Sequence, residues 1–289
     1  MISTALDLRG VDFEKTAAVY NFSFYFDGKR LVLAEPNRAA VVYRDGALLR
    51  AVGYGEWTQS ELANAVEERL GLGEDYSELF SLAEHDVILA RVPAVLAGWR
   101  MRSMPLWLAL LVAINQQNAS FAQGWRNLCR IIKRLGKPAR LGDVYTYLPP
   151  SPEDVLRRRD ELRGCGVGYR AGYILSVAET LVEGRDPLRA KGVGGYTRAL
   201  AELLAYRRYD EPPVDRWVEA LVEKAYGGGD ARELLKRRFG RWAGLAVYLY
   251  TIVLDAAPLR RALQRIERGL IEPVEEISPM NLWRLSSFC

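Results

Sequence analysis

Histidine is almost absent from this chain of 289 residues, His85 being the only one. Ser-His-Asp relays and histidine metal sites therefore have nothing to be built from, and His85 reads as a surface or capping residue. Cysteine is nearly as scarce: Cys129, Cys165 and Cys289 lie far apart and form no CxxC pair. That usage argues against a disulfide framework, a zinc site or an iron–sulfur cluster, and for a reducing, intracellular compartment. Long apolar runs are missing as well. The two longest, 105–114 and 242–254, are too short to span a bilayer comfortably and read as core helices. Met1-Ile2-Ser3-Thr4 lacks the basic-then-apolar layout of a signal peptide. Charge of one sign is lacking too, with 40 Lys and Arg against 36 Asp and Glu, a net +4. The total charge therefore gives no argument for nucleic-acid binding. Asn and Gln are sparse beside Arg and Glu, the composition expected of a heat-adapted source.

What is present is the material of a globular protein, 49% hydrophobic and 26% charged, long enough for one large domain or two smaller ones. Residues 18–53 favour strands. The aromatic-rich run from Val19 to Phe26 alternates in part, Asp27-Gly28 and Asp45-Gly46 are turn dipeptides, and short apolar strands fall between and after them. An antiparallel meander is expected there, followed by a helix capped by Thr58 and stopped at Gly71. From about residue 76 onward the chain reads as helical. Residues 106–114 form an all-apolar helix that ends in polar Asn115-Gln116-Gln117-Asn118. Ser120 caps the next helix, and Ser151-Pro152-Glu153-Asp154 opens a further one with a cap, a first-turn proline and first-turn acids. The expected fold is α+β, with a small antiparallel sheet domain at 1–85 and a larger all-helical domain at 86–289.

Chemistry is suggested most by Ala190-Lys191-Gly192-Val193-Gly194-Gly195-Tyr196-Thr197 and the Pro212-Pro213-Val214-Asp215-Arg216-Trp217 that follows. Glycines 192, 194 and 195 allow a sharp turn into a helix start, where free amides and the positive end of the dipole can seat a phosphate. A helix over 196–205 then leads to Asp215. The plain alternative is a glycine turn between packed helices, followed by an aspartate capping 216–225. Two basic clusters, Arg130 to Arg140 and Arg157 to Arg170, are either solvated helix faces or, beside such a hairpin, an electrostatic footprint for a polyanion.

The hairpin and its trailing Val-Asp resemble the helix-hairpin-helix of the DNA glycosylase superfamily. Leu162 to Tyr173, with its Gly-Tyr-Arg-Ala run, resembles the corresponding segment of the 8-oxoguanine branch, and Ile114 to Asn118 occupies the place of residues that enter the DNA stack. The matches run in order over roughly 105–255, and the 8-oxoguanine and 3-methyladenine branches also carry an N-terminal sheet domain. The resemblance implies a monomeric enzyme of base excision repair, acting on double-stranded DNA with a damaged base, in the cytoplasm beside a prokaryotic nucleoid and not at a membrane. It implies Asp215 as the catalytic carboxylate, and Tyr196, Trp217 and Trp242 as the base pocket. Lys191, Gly192, Gly194, Gly195, Gln116, Gln117, Asn118 and Arg170 become the DNA contacts, with Gln116 filling the vacated stack. No organic cofactor is implied, although relatives can seat a metal ion on hairpin carbonyls. The 8-oxoguanine branch attacks the sugar with a hairpin lysine, and that position is Tyr196 here. A phenol offers no amine for a Schiff base, so a monofunctional hydrolase acting on an oxidised or alkylated purine is expected. A lyase using Lys191 and a non-catalytic DNA-binding module remain as alternatives.

Overall fold

The computed structural model describes residues 2–288. Four antiparallel strands form the N-terminal sheet: β1 (Ile2–Asp7), β2 (Arg30–Ala34), β3 (Ala39–Asp45) and β4 (Leu48–Tyr54), in the order β1-β4-β3-β2. Leu31, Val42, Leu49 and Ala51 pack from this sheet onto Leu62, Val66 and Leu70 of helix Gln59–Leu70. Thr58 caps that helix reciprocally with Glu61, and Gly71 ends it in the left-handed region at φ 63°, as the sequence leads one to expect.

The aromatic run is the first departure from expectation. Residues 19–26 form no strand. They follow the short helix Phe13–Ala18 as an irregular segment, entered through a left-handed Tyr20 at φ 51°. Alternating aromatics satisfy a strand pattern, but here each ring packs on a different neighbour. Tyr20 stacks on Trp125 at 5.5 Å and Phe22 meets Trp125 edge-on at 5.2 Å, so the segment ties the sheet to the helices.

The remainder is helical, built around Leu106–Gln116, whose buried face includes every residue from Ala109 to Asn115. Against it pack Phe121–Leu135, Arg170–Val182 and Gly195–Tyr206. A second departure sits in this half: β5 (Lys137–Leu141) and β6 (Val144–Leu148) form a separate antiparallel hairpin around Gly142, where the sequence suggested none. The C-terminal segment returns to the sheet, with Trp283 edge-on to Phe26 at 4.9 Å. His85 is exposed and ends helix Ser77–Glu84. Cys165 is a buried free thiol, Cys129 is disulfide-bonded, and Cys289 lies outside the described residues. The expectation of reduced, unpaired thiols therefore fails at Cys129. Among the described residues no helix is long and apolar enough to cross a membrane.

Candidate functional site

The glycine turn does what its composition suggests. Gly192 takes φ 95°, and a Cβ there would lie 2.2 Å from the Tyr173 ring, so no other residue fits without displacing helix Arg170–Val182. Gly194 is the extended N-cap of helix Gly195–Tyr206, and a side chain at either 194 or 195 would meet nothing within 4 Å. Those two positions are bare because they face open space. The helix start lacks any side-chain cap, so its first-turn amides are left to whatever approaches from outside. Lys191 is exposed beside it.

The intervening helix brings Tyr196 toward Asp215. Asp215 is the N-cap of helix Arg216–Tyr226, in extended geometry, with Oδ1 accepting from the Val218 amide at 2.9 Å. The cap fixes the carboxylate and leaves Oδ2 outside that bond. Part of the side chain meets solvent at the rim of a cavity, yet the surrounding protein pushes its pKa up, against the amides of Val218 and Trp217 that pull it down. Burial raises the Tyr196 phenol strongly, and the Asp215 charge adds to that effect, so the two groups share one environment.

That environment is a cavity of about 710 Å³. Asp215, Tyr196 and Trp217 line it, together with Tyr20, Phe121, Trp125 and Tyr248. Trp217 is pinned by its indole N–H to the Ala257 carbonyl at 2.9 Å. Tyr20 is held by a hydrogen bond to Thr251 and by its packing on Tyr248, 5.0 Å away. The cavity is large enough for a purine, and six aromatic side chains line it, Tyr20, Phe121, Trp125, Tyr196, Trp217 and Tyr248, as suits a site that stacks on a planar base. No lysine lines it.

Several residues expected at the site stand elsewhere. Trp242 is not in the cavity wall; it is core, stacked on Tyr209 at 5.6 Å and donating its indole N–H to Glu78 at 2.9 Å. Arg170 is turned inward. It is only 5% exposed and donates to the carbonyls of Gln117 and Asn118, so it holds the 117–118 turn in place. Gln116 points inward, lining the cavity with a buried Nε2 that lacks a partner, against Gly124, where a Cβ would come within 2.6 Å of it. The outward residue is Asn118, exposed and left-handed at φ 49°. Gln117 is half-buried, its amide near the Thr197 hydroxyl at 3.4 Å. Much of the second basic cluster is spent internally. Arg158 binds the carbonyls of Arg134 and Leu135 and the Glu161 carboxylate, and Arg163 pairs with Asp160 at 2.8 Å.

Tyr20 is the residue that sequence reasoning missed. Its only sequence signal was the aromatic density of 20–26, which strand propensity explained away.

Comparison with solved structures decides the fold. A 3-methyladenine DNA glycosylase from Archaeoglobus fulgidus superposes with a TM-score of 0.68 at 20% identity, covering 91% of this chain and 98% of that one. An 8-oxoguanine glycosylase/lyase from Clostridium acetobutylicum gives 0.65 at 16% identity, covering 91% and 95%. The chain has the fold of the 8-oxoguanine and 3-methyladenine DNA glycosylases. Within that glycosylase fold, the expected α+β arrangement of a small antiparallel sheet and many helices holds. A probable N-glycosylase/DNA lyase of Methanothermobacter thermautotrophicus is 23% identical over 272 residues, 79% of this chain and 85% of that protein. No protein-family model matches the chain.

Proposed function

We propose that this chain is a monomeric, monofunctional DNA glycosylase that flips a damaged purine out of duplex DNA and removes it by hydrolysis. The observation that carries the proposal is the joint position of Asp215 and Tyr196 on one aromatic cavity, at the end of a helix whose glycine-bare N-terminus faces open space. A module that only grips the backbone needs the helix start but neither the cavity nor the carboxylate.

In this scheme the first-turn amides of Gly195–Tyr206, with Lys191 nearby, seat a backbone phosphate. Asn118, presented by the turn that Arg170 clamps, fills the gap left by the flipped base, while Gln116 meets the base inside the cavity. Tyr196 and Trp217 stack on the base. Asp215 stabilises the positive charge that develops on the sugar as the C1′–N bond breaks, and it orients the attacking water. Monofunctionality is supported by Tyr196 in the hairpin and by the lack of any lysine in the cavity wall. The lyase in the name of the archaeal relative needs an amine within reach of C1′, and Lys191 lies outside that wall. The division into a sheet domain (1–85) and a helical domain (86–289) belongs to the same reading. The largest cluster, that of the helices, and the sheet cluster support it, although Val19 and Phe22 pack with the helices, Trp283 packs on the sheet, and a third cluster joins Val32, Ala39 and Val41 to Leu141. The protein would work wherever the cell keeps its DNA.

Incubating the protein with duplexes that each carry one lesion, then scoring base release with and without alkali, tests this directly. Release of a base that leaves an intact abasic strand, with no protein–DNA adduct trapped by borohydride, is the expected result. A trapped adduct would overturn monofunctionality, and release of no base would overturn the enzyme reading.

A further inference from the structure

Arg102 belongs to neither the hairpin nor the turn that carries Asn118, and the mechanism above gives it no role. It lies on the stretch of wall, with Tyr20, Met104, Val112 and Trp125, that the large cavity shares with a smaller one behind it. Asp215 and Trp217 line only the large cavity. Arg102 is therefore on the wall between the two cavities, the inner wall of the one that Asp215 lines.

Its guanidinium is largely buried and has no carboxylate partner among the described residues. Nε donates to the Thr16 carbonyl at 3.1 Å, and Nη2 donates to the carbonyls of Val19 and Tyr20 at 3.0 and 3.1 Å. Nη1 has no protein acceptor among the described residues. Burial lowers its pKa, and an arginine so placed stays charged at neutral pH. Carbonyls satisfy hydrogen bonds but do not neutralise the charge, and an uncompensated buried cation is costly unless a ligand completes it.

Two further donors on this cavity are left without partners. Trp125, 4% exposed, has an indole N–H bonded to nothing, and Gln116 has its buried Nε2. Of the four acidic residues lining the cavity, Asp255 pairs with Arg265 at 2.8 Å and Glu275 with Arg261 at 3.0 Å, and among the described residues none of the four pairs with Arg102. The inner wall thus offers hydrogen-bond donors and one positive charge.

We propose that Arg102 is a specificity-determining residue that reads a carbonyl edge of the flipped base and rejects bases carrying a positive charge. The proposal rests on the glycosylase reading and narrows it. The substrate is then a neutral base with exocyclic carbonyl oxygens, such as an oxidised purine. A cationic N-alkylated purine, whose charge would be driven against the guanidinium in a desolvated cavity, is excluded. Stacking on the aromatic rings favours a cationic base through cation–π attraction, so discrimination against it has to come from the guanidinium.

The test is single-turnover base release by the full chain from duplexes carrying 8-oxoguanine, hypoxanthine or 7-methylguanine, comparing wild type with Arg102→Lys and Arg102→Gln. For the wild type we expect release of the faster of the two neutral bases to exceed that of 7-methylguanine, which carries the same C6 carbonyl but a positive charge, by on the order of a hundredfold after correction for their spontaneous rates. Arg102→Gln should collapse that ratio toward one. Arg102→Lys keeps the charge but loses the fork, so it should release the neutral base more slowly while still rejecting 7-methylguanine. Each ratio is taken within one preparation, so partial unfolding of a variant cancels. If Arg102→Gln does not fold, the wild-type and Arg102→Lys ratios still decide. Preferential release of 7-methylguanine, or an unchanged ratio in Arg102→Gln, overturns the role of Arg102 and leaves the glycosylase reading standing. Release of no base from any duplex overturns the glycosylase reading itself.

Discussion

Two turns flank the cavity, and they are built in opposite senses. The turn at 192–195 ties down only its Val193 amide, to the Ala190 carbonyl at 3.1 Å, and leaves the amides at its helix start uncapped, with Gly194 and Gly195 opening onto empty space. The turn at 116–119 has its backbone tied down. Arg170 reaches the carbonyls of Gln117 and Asn118, and the Tyr169 hydroxyl reaches that of Gln117 at 3.3 Å. Both contain a residue at positive φ, Gly192 and Asn118, but for different ends. The first turn presents its main chain and therefore needs no side chains. The second presents one side chain and therefore needs a rigid main chain. The contrast shows that a polar turn beside a cavity is understood from where its backbone hydrogen bonds go, more than from its residue types.

The sharpest break in the comparison comes from the residue that both turns serve. Asp215→Asn keeps the cap but loses the charge, and should slow base release by about a hundredfold or more at unchanged DNA affinity. Wild-type activity needs the ionised carboxylate. Because burial raises its pKa, activity should fall with decreasing pH at a higher value than for a solvated aspartate. A pH–rate profile for single-turnover release checks the sign. Full activity in Asp215→Asn would mean that the carboxylate only caps its helix.

Next comes the clamped turn. Arg170→Ala removes the Asn118 carbonyl's donor, leaves the Gln117 carbonyl with the Tyr169 hydroxyl alone, and should reduce excision from duplex about tenfold, through a turn that no longer holds its shape. Asn118→Ala should do the same on duplexes while sparing single-stranded substrates, which have no gap to fill. Gln116→Ala, altering the cavity itself, should slow both substrates alike. Equal losses for Asn118→Ala on both strand types would remove it from the stack.

The free turn gives smaller effects on chemistry and a clean internal contrast. Gly192→Ala should destabilise the fold by roughly 2–4 kcal/mol, from its left-handed φ and the Tyr173 ring it would strike. Gly195→Ala should leave the melting temperature unchanged and weaken DNA binding, since its Cβ meets only what approaches from outside. Thermal unfolding and fluorescence anisotropy separate the two. The smallest expected change is for Lys191→Ala: a uniform loss of affinity across sequences, with the salt dependence of log K reduced by about one.

How much of this was legible in the sequence follows the same division. Structure dictated by local backbone rules was readable: the Gly-Val-Gly turn, the Thr58 cap, the Ser151 cap with its first-turn acids, and the Asp215 cap. Structure dictated by which side chains meet across the fold was not. Val19 to Phe26 has the composition of a strand, and only its neighbours, Trp125 and Tyr248, make it a wall of the cavity instead. Trp242 and Trp217 look alike in sequence, yet one indole donates to Glu78 within the core and the other to Ala257 at the cavity. Arg170 stood in a matching motif, and the motif gave no sign that it turns inward. The β5–β6 hairpin was hidden for a different reason: its Tyr145, Tyr147 and Arg140 fit a polar helix surface as well as a two-stranded ribbon.

Tyr20 carries a consequence for how such a molecule can be taken apart. Its ring closes the cavity from a segment that precedes the sheet strand β2, while the carboxylate it faces comes nearly two hundred residues later. Removing the first 85 residues would leave Asp215, the hairpin and the clamped turn all present, and the cavity open along the face where Tyr20 stacks on Trp125. The segment ahead of β2 is thus part of the cavity wall. Any exchange of parts between proteins of this fold would have to move the 19–26 segment together with the helices, or supply another ring in its place.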